Sequence, residues 1–151
     1  MKQFRNLADI FSEKGQSLVE TALVFPVLIT LFVGTVEMAR IARASISVNN
    51  AAKAAVQYGA QSGFTAQDST GIQTAASNEA PNLTVVATPA VSCICSDGTA
   101  ATCSSNTACP NSHLIETLTV TTQATVTPFM QLPHLPKSFT ITGSATQRCL
   151  Q

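Results

Sequence analysis

The chain has 151 residues, a formal net charge of zero and only 11% charged residues. That length holds one small domain with an appended helix and excludes a large multi-domain enzyme. With no basic excess to neutralise a phosphate backbone, no nucleic-acid partner is expected. The five cysteines, Cys93, Cys95, Cys103, Cys109 and Cys149, all lie beyond residue 92, which favours a disulfide-forming compartment for the C-terminal part. Aromatic residues are scarce, with no Trp and one Tyr, whereas Thr, Ser and Ala abound, a composition suited to a thin sheet with one polar face.

Residues 1–14 are short and mixed in charge and read as a leader or cytosolic tail. From Thr21 to Val36 no residue is charged, and counted from Leu18 the apolar stretch has 19 residues, enough to cross roughly 30 Å of hydrocarbon. Positive charges do not orient it, because Lys2, Arg5 and Lys14 on one side are matched by Arg40, Arg43 and Lys53 on the other. Oxidised cysteines would place the C-terminal part outside the cytoplasm and the N-terminus inside.

Beyond Glu37 the helical pattern continues: Met38, Ile41, Ser45, Val48, Ala52, Ala55 and Tyr58 recur at spacings of three and four, with alanines between them. One helix from about Ser17 to Gln61 would be on the order of 68 Å long, so its second half extends past the span. Pro26 and Gly34 interrupt the first half, and Gly63 is the expected stop. A shorter helix is predicted from Ala66 or Ser69 to Asn78, ending before Pro81.

The period then changes to two. Residues 83–88, bounded by Pro81 and Pro89, residues 118–126 and residues 139–147 read as half-buried strands of an antiparallel sheet. Between them lie a cysteine-containing loop over 90–113 and an apolar loop over 128–138 that carries three prolines with Phe129, Met130, Leu132 and Leu135. The expected architecture is α+β: a long N-terminal helix, transmembrane in its first half, whose second half packs on a small antiparallel sheet. Its divisions are a leader over 1–15, the helix over 16–62 and an extracytoplasmic α+β domain over 63–151.

A glutamate at the mouth of a membrane segment needs a reason, since an ionised carboxylate costs about 3 kcal/mol at the centre of a span by insertion scales and less near its end. One reason is placement at the interface near a helix N-terminus. The other involves Gly15. A cut after Gly15 gives Gln16 a free amine one turn from Glu20, and that amine can satisfy the carboxylate. Gly15 followed five residues later by Glu20, after a short charged leader and before an apolar helix, resembles the class III signal of type IV prepilins.

The wider stretch GQSLVETALVFPVLITLFVGTVEMAR is similar to the signature of the TadE-like family, small pseudopilins of the tight-adherence (Flp) pilus systems. Gly15, Val19, Glu20, Ala22, Pro26 and Glu37 carry the resemblance, and the closing ITGSATQR strand extends it. It implies a pilin-like minor pseudopilin or pilus assembly protein that acts by helix packing in adhesion and surface attachment. It also implies cleavage between Gly15 and Gln16 by a prepilin peptidase, an assembly contact at Glu20, and interface roles for Pro26 and Glu37. Other pilins, pseudopilins and the assembly machinery would be its partners. The implied location is the inner membrane, single-pass, with the body in the periplasm or carried into an extracellular pilus. Glu37 also has a plainer role open to it, an i, i+3 pair with Arg40 that ends the span.

The remaining features carry less. Cys93, Cys95, Cys103 and Cys109, with His113 following, invite a zinc site, but spacings of one, seven and five residues do not match zinc ribbons; disulfides are expected, with three pairings open for these four and Cys149 able to replace one of them. His113 and His134 fall in no nucleophile or metal motif and the carboxylates are dispersed, so no catalytic residue, metal or other cofactor is expected. Two other readings of the apolar segment stand: an ordinary signal peptide of a secreted protein, cut after Ala42-Arg43-Ala44, and an uncleaved anchor for a periplasmic binding domain.

Overall fold

The computed structural model describes residues 5–103, 109–110, 112–129 and 136–149, with side chains from Gly15 onward. His134 and the apolar residues Met130, Leu132 and Leu135 lie outside the described residues. The chain divides into two compact units, Met1–Arg40 and Ile41–Gln151. Its fold class is the expected one, α+β, with a long N-terminal helix packed on a small four-stranded antiparallel sheet.

Helix α1 spans Arg5–Gly59, so it starts before the expected Ser17 and ends before Gln61. Its end corrects the expectation at Gly63. The last turn closes through Ala60 N–H to Val56 O at 2.8 Å, and Gly63 instead opens α2 (Gly63–Gln67). The cap of α2 is a Ser/Thr version of the capping box: Thr65 N–H donates to Ser62 Oγ at 3.2 Å and Ser62 N–H donates to Thr65 Oγ1 at 2.9 Å. Gly59 has a packing reason instead, since a Cβ there would run into Leu118 and lie 3.1 Å from Ile72 Cδ1.

Helix α3 (Ser69–Glu79) matches the predicted second helix. Asp68 caps it, accepting from Gly71 N–H at 3.0 Å and from the Tyr58 hydroxyl at 2.8 Å. These two donors hold the Asp68 carboxyl below its ordinary range, the backbone N–H most, and the same carboxylate raises the Tyr58 phenol.

The strands are β1 (Val85–Cys95), β2 (Ala100–Ala101), β3 (Leu114–Val126) and β4 (Phe139–Arg148), in the order β2-β1-β3-β4 and antiparallel throughout. β1 is the main correction. It does not end at Pro89 but runs through it to Cys95, because Pro89 lies on the side of β1 away from β3, where no ladder bond is lost. The expected cysteine loop therefore begins as strand. Gly98, at φ 87°, makes the turn into β2, and Asp97 stabilises it by accepting from Thr99 N–H at 3.0 Å and Thr99 Oγ1 at 2.7 Å.

Alternation along β3 sends Leu118, Val120, Thr122, Ala124 and Val126 inward and leaves Gln123 and Thr125 exposed. Val48, Ala51, Ala55 and Val56 of α1, Ile72 and Ala76 of α3, and Val85 of β1 complete the core. Full burial of Leu118 or Ile72 stabilises by about 1.5–3 kcal/mol each. Alanines let helix and sheet approach closely, and the closest approach is at Gly143 on β4, where a Cβ would lie 2.9 Å from Val48 O and 3.0 Å from Asn49 Cα.

Candidate functional site

In the first unit the apolar segment of α1 shows the reverse of a core helix. Leu18, Leu23, Phe25, Leu31 and Phe32 are each at least 60% exposed, and the helix is long and apolar enough to cross a membrane. Its hydroxyls are satisfied by its own backbone: Thr21 Oγ1 donates to Ser17 O at 2.9 Å, Thr30 Oγ1 to Pro26 O at 2.8 Å and Thr35 Oγ1 to Phe32 O at 2.7 Å. Self-satisfied hydroxyls suit a medium that offers no hydrogen bonds.

Gly15, Gln16 and Glu20 fall within about one turn of this helix, Gln16 and Glu20 being about 6 Å apart along its axis. Glu20 is exposed and has no hydrogen-bond or ion-pair partner among the described residues. A Cβ on Gly15 or on Gly34 would meet nothing within 4 Å. Each glycine in a helix interior costs about 1 kcal/mol relative to alanine, and here no packing contact offsets it. Pro26 sits inside the helix and supplies no N–H to it. Glu37 pairs with Arg40, whose Nη1 lies 3.1 Å from Oε2 and 3.4 Å from Oε1.

In the second unit the cysteines pair as Cys93–Cys103 and Cys95–Cys109, while Cys149 is a buried free thiol. The pairing is interleaved. It also answers the zinc reading, since all four sulfurs are consumed in disulfides. Burial most of all, then the nearby Glu116 carboxylate, pushes the Cys149 thiol up.

Comparison with known families decides the character of the helix. Residues 15–57 match the family described as TadE-like protein. The resemblance read from Gly15, Glu20, Pro26 and Glu37 is therefore the one the family model returns. The TadE-like segment covers the apolar run and the part of α1 that enters the core, and the sheet lies outside the match. No curated protein matches the chain, and no solved structure does. The TadE-like family suggests a Tad pilus-related protein, and the match covers less than half of the chain.

Sequence reasoning missed three residues of the second unit. Thr122 is fully buried, and its hydroxyl donates to Val48 O at 2.9 Å; its in-phase position between Val120 and Ala124 was the signal. The Gln73 side chain bonds the backbone of β1, donating to Val85 O at 2.7 Å and accepting from Ala87 N–H at 2.8 Å. Gly143 provides the close approach to α1, and nothing local in FTITGSATQR marks it.

Proposed function

We propose that the chain is a minor pseudopilin or assembly protein of a tight-adherence pilus, held in the inner membrane by the TadE-like helix with its C-terminal body in the periplasm. A prepilin peptidase cuts between Gly15 and Gln16. The amine released at Gln16 and the Glu20 carboxylate then supply the charged contact by which apolar helices pack into an assembly that supports surface attachment. Pro26 and Glu37 belong to the same helical surface.

The observation that carries this reading is the exposed, partnerless Glu20 in the TadE-like segment, one turn from Gln16 in a helix whose apolar side chains are themselves exposed. A buried carboxylate needs an opposite charge, and cleavage creates one. Gly15 supports it too: with no contact inside the chain to require glycine, a small residue there serves the protease, in whose site the backbone lies extended. The two disulfides support a body outside the reducing cytoplasm.

The test is the mass of the chain extracted from membranes. An N-terminus at Gln16 is expected; one at Ser45, as an ordinary signal peptide cut after Ala44 would leave, or an intact Met1 overturns the reading.

A further inference from the structure

Within the second unit α1 runs antiparallel to β3. The Val48 carbonyl accepts from Thr122 Oγ1 at 2.9 Å, and farther along the helix a Cβ on Gly59 would run into Leu118. This direction decides which end of the sheet the incoming chain reaches. Ile41, where α1 enters the unit, precedes Val48 by about 10 Å of helix. Val126 follows Thr122 by about 13 Å of strand in the same direction, and Phe139 pairs with Val126. The end of the sheet formed by Val126 and Phe139 is therefore the end at which the membrane-length helix arrives.

That end carries aromatic side chains that stay out of the core. Phe129, shortly after Val126, is 82% exposed, and Phe139 is 37% exposed. Apolar area left in water in this way favours any contact that covers it. Among the described residues of the unit, the exposed charges near this end are Arg43, Lys137 and Glu79. They nearly balance, so apolar contact and not charge decides what binds here.

On the reading that the apolar segment of α1 spans the membrane, we propose that Phe129 and Phe139 dock this end of the body on the phospholipid surface from which α1 emerges. Their rings enter the zone between headgroups and acyl chains. The chain itself selects the occupant: a helix anchored in a bilayer holds the unit that follows it beside that bilayer, at a high effective concentration of lipid. Apolar side chains at such a boundary bury by about 5–10 Å, with Phe among the residues that serve there. Phe64 of α2 supplies the contrast. It is 86% exposed, but it follows Gly63, whose Cβ would lie 3.3 Å from Glu116 Oε2 at the other end of β3. Glu116 and Val126 are about 33 Å apart along the strand, so Phe64 stays in water when the opposite end docks.

The chain contains no Trp, so single Trp substitutions report depth without background. The whole chain is reconstituted in vesicles of phosphatidylethanolamine and phosphatidylglycerol. Fluorescence quenching is then measured with phospholipids brominated near either end of the acyl chain, and with aqueous iodide on both sides of the bilayer. Phe129→Trp and Phe139→Trp are expected to be quenched at least twofold by the shallow bromolipid and shielded from iodide. Phe64→Trp is expected to respond to iodide alone, and Phe25→Trp, in the apolar segment, to bromolipid. If either Phe129→Trp or Phe139→Trp is open to iodide and untouched by bromolipid while Phe25→Trp is quenched by it, the docking is overturned and the span stands. Phe25→Trp untouched by both bromolipids overturns the span and the docking with it. Phe129→Trp shielded from iodide yet untouched by bromolipid reveals a protein on this surface, a second copy or another partner, and also overturns the proposal.

Discussion

The hydroxyl of Thr122 on β3 reaches across the core to the carbonyl oxygen of Val48 on α1, at 2.9 Å and between residues 74 apart in sequence. It is a specific polar tie between the helix and the sheet in an otherwise apolar interface. Beside it, Gly143 leaves room for the helix backbone. Replacing Thr122 by Val keeps the shape and removes the bond, with an expected loss of about 1 kcal/mol. Gly143→Ala is expected to cost about 1–3 kcal/mol by overpacking, because its Cβ would lie 2.9 Å from the Val48 carbonyl oxygen. Denaturant unfolding of the whole chain in detergent, followed by circular dichroism, checks both; a neutral Gly143→Ala would contradict the close approach.

The disulfides close segments with sequence separations of 10 and 14 residues. Loops of that length constrain the unfolded chain by about 2–4 kcal/mol each. The double variant Cys95→Ser, Cys109→Ser is expected to lower unfolding stability by about that amount and to make the 96–109 segment a preferred site of limited proteolysis. Equal protease resistance with and without the bond would show that β2 and the turn hold themselves.

Asp68 gives the body an acid sensitivity whose sign follows from its partners. The Gly71 N–H and the Tyr58 hydroxyl hold its carboxyl below the ordinary range, so its contribution is present above the unfolded value near about 4 and is lost as pH falls through the lower folded value. Asp68→Asn is expected to flatten the fall in Tm on the acid side of about pH 4 while lowering Tm modestly at neutral pH. Parallel melting curves for the two proteins from acid to neutral pH would refute it.

Under the proposed function, variants at Gly15 and Glu20 are expected to separate processing from assembly. Gly15→Leu adds a side chain where a Cβ meets nothing within 4 Å, so the helix and its membrane insertion are expected to persist while the precursor accumulates uncut, seen as a higher mass by mass spectrometry. Glu20→Ala is expected to be cut normally yet to lose assembly and attachment. Processed Glu20→Ala that still assembles would remove the proposed contact.

Much of this was legible in the sequence because it depends on chain neighbours. The apolar run, the glycine and glutamate at its mouth, the three-and-four spacing through Tyr58 and the alternation over 118–126 each follow from local geometry. Clustering of the cysteines indicated an oxidising compartment without any fold. The tertiary structure decided what rests on partners far along the chain. Cys93 bonds Cys103, which the β1–β2 turn brings beside it, and Cys95 bonds Cys109. Pro89 extends a strand where it was expected to end one, because its missing donor faces an edge. Thr122 is buried and Gly143 obligatory because α1 lies against them. Periodicity assigns a residue to a face, but whether that face meets a helix, an edge or solvent is set by packing between segments that local pattern does not relate.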